Sequence, residues 1–131
     1  MRVPSGGRWW VKLLIGVVTA ALVVLTAWKV MDHFRDQPEA ARWRLQNTAA
    51  VTPASTKIPV LVIESACASG QFATGRIVTS IAYSPDAVTI DIRVRPLGGA
   101  QTCQGVTTPY VVTLREPLGT RQLKDANART P

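Results

Sequence analysis

From Leu13 to Trp28 the chain carries no charged side chain, and from Trp9 to Trp28 it carries only Lys12. Inside a bilayer every backbone N–H and C=O must find a partner within the segment, so an apolar run of this length folds as a helix. Trp9 to Trp28 is 20 residues, which gives about 30 Å of helix and matches the hydrocarbon thickness of a bilayer. Lys12 lies one turn inside the end and extends its ammonium to the headgroups, while Trp9, Trp10 and Trp28 fall where aromatic belts form. Residues 9–28 are therefore expected to be a transmembrane anchor, preceded by a tail of residues 1–8. A cleavable signal peptide shares the basic start and apolar stretch, but it wants small residues at the minus-three and minus-one positions. Ala27 suits minus one; Leu25 and Trp28 around it do not. No cysteine follows closely enough for lipid attachment, so an uncleaved signal-anchor is expected.

The anchor accounts for most of the 47% hydrophobic content, and the net charge of +7 is also unevenly spread. Residues 1–28 hold three bases and no acid, residues 29–57 five bases against three acids, and residues 58–131 seven against five. A nucleic-acid binder clusters its bases on the folded part and interleaves aromatics for stacking. Here all four tryptophans precede residue 44, leaving Phe72, Tyr83 and Tyr110 beyond it. Nucleic acid is not an expected partner; the lipid bilayer is. The flanking bases do not decide the orientation of the helix, since Lys29, Arg35, Arg42 and Arg44 balance Arg2, Arg8 and Lys12. The very short N-terminal tail and the position of both cysteines after the helix place the N-terminus in the cytoplasm and the C-terminal domain outside the cell membrane, a single-pass topology.

Within the span, Gly16 and Ala20 are spaced as small-xxx-small and Ala27 extends the same face, which offers a helix–helix contact. A homodimer through this face is the lesser expectation beside a lipid-facing monomer. Beyond Trp28 the helix is expected to continue through Val30 to Arg35. Pro38 and Glu39 then suit a helix start, so residues 29–46 read as a juxtamembrane helical stem with a short second helix over 38–46. His33, the one histidine, reads as a stem residue. Residues 47–57 are small and polar with a proline, the composition of a linker.

The period changes to two afterwards. Val88, Ile90, Ile92 and Val94 alternate with Thr89, Asp91, Arg93 and Arg95, as in a half-buried antiparallel strand. Residues 76–83 form a second strand across the Ser84-Pro85-Asp86 turn. Pairing residues whose numbers sum to 171 sets Tyr83 against Val88, Ile81 against Ile90 and Ile77 against Val94. A slip of one would mix the two faces. Ile58 to Glu64 reads as a strand covered on both faces with Pro59 at its start or on an edge. Tyr110 to Arg115 supplies a fourth strand after a long loop over 96–109. The fold class is thus mainly β: residues 58–125 form a small antiparallel β-sandwich or open barrel of four to five strands, and residues 126–131 a flexible tail.

Cys67 and Cys103 lie on the outer side of the membrane, where two cysteines most simply form one disulfide. Two thiolates are too few for a zinc site without histidines, and a catalytic cysteine would want a histidine nearer than His33. The stretch from Cys67 to Asp125 resembles small exported domains of actinobacterial single-pass membrane proteins and lipoproteins. The residues that carry this are the alternating strand before Thr102-Cys103-Gln104-Gly105, the proline-containing approach to a Val-Val-Thr-Leu strand, and the tail from Glu116 to Asp125. The resemblance implies an envelope location and a disulfide-closed β domain, and it carries no activity to transfer. Unlike the lipoproteins, this chain has a membrane helix in place of the lipid-attachment cysteine.

No enzyme is expected. The domain offers Glu64, Asp86, Asp91, Glu116 and Asp125 with no histidine, and Gly98-Gly99 reads as a turn rather than a phosphate loop. No catalytic, metal or cofactor-binding residue and no cofactor is implied. The expected function is a membrane-anchored module of the cell envelope that binds or scaffolds an envelope protein partner. The alternative is an accessory subunit of a membrane complex assembled through its helix. The segment Glu116 to Asp125 is either the contact or, as the simpler expectation, a strand or strap that completes the sheet.

Overall fold

In the computed structural model of the protein, residues 7–128 are described. The tail residues 1–6, with Arg2, and residues 129–131 of the C-terminal tail lie outside them. The chain divides into two units after Asp36. The first is a single helix, α1 (Gly7–Arg35), of 29 residues with none buried. It is long and apolar enough to cross a membrane. Its two internal threonines are compatible with that, because the Thr19 hydroxyl donates to the Ile15 carbonyl and the Thr26 hydroxyl to the Leu22 carbonyl one turn back.

The second unit is a curled sheet. Its strands are β1 (Glu39–Leu45), β2 (Lys57–Ile63), β3 (Ile77–Tyr83), β4 (Ala87–Val94), β5 (Thr107–Thr113) and β6 (Gln122–Asp125). They run in the order β3-β4-β1-β2-β5, all antiparallel, with β6 parallel to β4. The β3–β4 hairpin has the register the alternation dictates, from Ile77 opposite Val94 to Tyr83 opposite Val88. The core is built from one face of each strand: Ile58, Val60 and Val62 of β2, Val88, Ile90, Ile92 and Val94 of β4, and Val112 of β5 are all fully buried.

Three expectations are corrected. Residues 38–46 form β1 rather than a stem helix. Pro38 and Glu39 suit a helix start, but so short a helix is marginal alone. As a strand the segment pairs with β4 through Glu39–Ala41 and with β2 through Arg42–Leu45, and it turns Ala41, Trp43 and Leu45 toward the core. The linker, residues 47–57, is part of the domain. Its Pro53, Ser55 and Thr56 carbonyls accept from the Gly119, Leu118 and Leu114 N–H groups, and Val51 packs against the core.

The third correction concerns β2, which is covered on one face only: Pro59, Leu61 and Ile63 on the other face are half-buried. With too little chain for a second layer, the sheet encloses its core by curling, as a half-barrel rather than a sandwich. Pro59 sits inside an interior strand without a broken ladder. Gln46 N–H donates to the Pro59 carbonyl, so the missing proline N–H points at the position just past the end of β1, where the ladder stops.

The tail segment is the strap rather than a free contact. β6 lies beside the N-terminal half of β4, where β1 has diverged toward β2. Side chains fill the fork: Trp43 Nε1 donates to the Ile90 carbonyl, and Asp125 Oδ2 accepts from the Trp43 N–H. Asn127 Nδ2 donates to the Ala41 and Ile92 carbonyls and to Asp91 Oδ1.

Candidate functional site

Strand parity places the site. On the outer face of β1, β2 and β5, the ladder registers set Arg44, Leu61 and Pro109 in one row, Arg42, Ile63 and Thr107 in the next, and Pro59 beside Val111. Lys57, opposite Thr113, closes the far end. Leu61, Ile63 and Pro59 are half-buried and Val111 is 50% exposed. Arg42, Arg44 and Lys57 are exposed, and none of them makes an ion pair among the described residues. The surface is an apolar strip with a cationic rim. The β1 pattern Ala41-Arg42-Trp43-Arg44-Leu45 already alternates with period two, the signal that would have revealed the two arginines.

The strip runs into a cleft of about 500 Å³, lined by Ile63, Glu64, Gln71, Phe72, Gln104 and Val106. Phe72 is 59% exposed. The Cys67–Cys103 disulfide lies beside this cleft, with its Cα atoms 4.3 Å apart. It joins the loop after β2 to the loop before β5. The same two loops are tied by Ser69 N–H to the Thr102 carbonyl, Thr102 N–H to Ser69 Oγ, and Ser69 Oγ to Gln101 Oε1. Glycine is favoured at position 70, where φ is +72°.

Glu64, which lines the cleft, is held in an ion pair. Arg76 Nη1 and Nη2 donate to Glu64 Oε1 and Oε2 at 2.7 and 3.0 Å, a bidentate arrangement. Side-chain exposures of 15% and 9% make it a largely buried pair. Arg76 also donates to the Arg95 and Phe72 carbonyls, which fixes the Phe72 backbone at the mouth.

Asp86, Glu116 and Asp91 are held by nearby side chains. Asp86 accepts from the Ser84 hydroxyl in the β3–β4 turn, and this bond chiefly lowers its pKa. Glu116 pairs with Arg121 at 2.6 Å, and that hydrogen bond holds its carboxyl below the usual range. Asp91 is partly desolvated, which pushes it up, but hydrogen bonds from Asn127 and Arg93 outweigh this and leave it lowered. Among the described residues no group of three or more His, Cys, Asp or Glu side chains is disposed to hold a metal.

The residues singled out on the helix are all exposed. Trp9 and Trp10 have ring centroids 5.1 Å apart near one end, and Trp28 lies 65% exposed toward the other. Gly16 and Ala20 share a shallow groove with Trp9, Lys12, Leu13 and Val17, whereas Ala27 lies in a separate one with Val24, Trp28 and Met31. His33 occupies the last turn of α1. No known protein family, curated protein or solved structure was found to match this chain.

Proposed function

We propose that the protein is a membrane-anchored module whose β domain lies outside the cell membrane and binds an anionic partner protein of the cell envelope through the strip on β1, β2 and β5. The observation that carries this is the row of apolar side chains, half-buried Pro59, Leu61 and Ile63 with exposed Val111, beside the exposed Arg42, Arg44 and Lys57. Exposed apolar surface with a polar rim marks interaction sites. The disulfide and the long apolar helix support the location. Glu64, Asp86, Asp91, Glu116 and Asp125 each serve a hydrogen bond or ion pair, which favours binding over catalysis.

A reporter fused after Pro131 that is active only outside the cytoplasm is the expected topology result; cytoplasmic activity overturns it. Proteins co-isolated with the full chain should be lost when Leu61→Glu and Val111→Glu are introduced together. An unchanged set overturns the proposed face. The groove at Gly16 and Ala20 favours a second reading, an accessory subunit assembled through its helix. In that case Gly16→Leu with Ala20→Leu, and not the strip variants, removes the partners.

A further inference from the structure

The order β3-β4-β1-β2-β5 contains five strands that alternate in direction, so its two end strands, β3 and β5, run parallel to one another. An all-antiparallel ring needs an even number of strands. The half-barrel therefore cannot close by pairing β3 with β5 in the antiparallel manner of its other neighbours, and β6 does not help because it lies on the far side of β4.

The ladders show which backbone groups this leaves unpaired. Arg95 N–H donates to the Arg76 carbonyl and Ser84 N–H to the Ala87 carbonyl, so the even-numbered residues of β3 bond to β4. Ile77, Thr79, Ile81 and Tyr83 turn their N–H and C=O groups toward β5. Leu114 N–H donates to the Thr56 carbonyl, so Thr107, Val111 and Thr113 of β5 likewise turn theirs away from β2. Pro109 presents only a carbonyl there.

Between the two edges only side chains bridge. Thr79 Oγ1 meets Tyr110 Oη at 3.4 Å, and Tyr83 Oη accepts from the Arg115 N–H at 3.0 Å. β3 and β5 share no ladder, and these tyrosine contacts join them instead. A second observation agrees. Ile77, Ile81 and Tyr83, the core-facing apolar residues of β3, are only partly buried, as is Tyr110 of β5 between the buried Thr108 and Val112. The core is least covered along β3.

We propose that the slot between β3 and β5 accepts one extended segment of a partner protein, inserted antiparallel to both edges as the strand that completes a six-membered ring. The occupant alternates small apolar side chains, which cover Ile81 and Tyr110, with polar ones facing outward. Its main-chain groups bond β3 and β5 in turn, which is strand addition at two edges at once. β3 has neither proline nor charge along its seven residues, the devices by which natural edges repel such pairing. The slot uses the free backbone edge of β5 whereas the outer strip uses its outward side chains, so the two share Val111, but occupancy of the slot does not depend on the strip.

The test titrates the full-length protein in lipid nanodiscs with a peptide of alternating valine and threonine closed by lysine at each end. Amide exchange at Ile77, Thr79, Ile81, Val111 and Thr113 should slow about tenfold or more, while Val78 and Ser80, already bonded to β4, should not change. Cross-strand contacts should report an antiparallel orientation. The same peptide with alternate amides N-methylated should not bind, and Thr79→Pro, which removes a slot-facing N–H and leaves the β4 ladder intact, should weaken binding of the unmodified peptide. The proposal is overturned by no protection at millimolar peptide, by protection at Leu61 and Ile63 instead, or by equal binding of the N-methylated peptide.

Discussion

Arg76 shows how much of the site depends on one side chain. It neutralises Glu64, which has only 9% of its side chain exposed, and it bonds two carbonyls from neighbouring loops. Removing it leaves a carboxylate desolvated without a partner, which costs about 3–5 kcal/mol in buried pairs. Arg76→Met should lower the urea midpoint accordingly, and adding Glu64→Leu should recover much of the loss. A double variant no more stable than Arg76→Met would show that the backbone contacts of Arg76, not its charge, matter. Asp91 supplies a pH dependence. Its folded pKa lies below the ordinary value of 3.8, so its contribution is present above about pH 4 and is lost as pH falls through the folded value. The fall in urea midpoint from pH 5 to pH 2 should be smaller in Asp91→Asn. Glu116 and Asp86, lowered by Arg121 and Ser84, leave a residual dependence.

At the scale of elements, β4 decides the topology because three strands share it. β1 and β6 divide one of its edges, and Asn127 closes the fork by bonding Ala41, Asp91 and Ile92. Asn127→Ala should cost about 1–3 kcal/mol, the range for polar groups left unpaired when a partner is removed. Amide exchange should rise first in β6 and the start of β1. Uniform loosening of all strands would contradict a local fastening role. The β3–β4 hairpin was readable from alternation and turn chemistry, since Ser84-Pro85-Asp86 and the apolar set Val88, Ile90, Ile92 and Val94 permit one register. The β1 strand was not, because Pro38 and Glu39 make a locally sound helix start and only the space between β4 and β2 overrules it.

Across the whole molecule, the Cys67–Cys103 bridge spans 36 residues and ties together the two longest excursions from the sheet. In the chain-entropy treatment a loop of this length contributes about 4 kcal/mol. Reduction under native conditions, or Cys67→Ser with Cys103→Ser, should lower the unfolding free energy by about that amount. Retained stability would mean that the Ser69–Thr102 and Gln101 contacts suffice to hold the cleft. The bridge was legible in the cysteine count and in the position of both residues beyond the apolar helix. The strip and the slot were not, because each arises from residues far apart in sequence. Arg42, Leu61 and Val111 share a face only once β1, β2 and β5 are adjacent, and Ile81 and Tyr110 flank a gap only once five strands have curled.

The sequence by itself determined the long apolar helix, the two-residue period of the β3–β4 hairpin and its register, and the cysteine pair. Each follows from local periodicity, from the turn between adjacent strands, or from a count. The tertiary structure alone decided that residues 39–45 are a strand, that residues 122–125 run parallel to β4, and that the outer face of β2 stays half-buried. Those outcomes depend on which edge remains open after the other strands have paired, and the pairings that settle it are long-range, as in Glu39 with Val94 and Ala87 with Gln122.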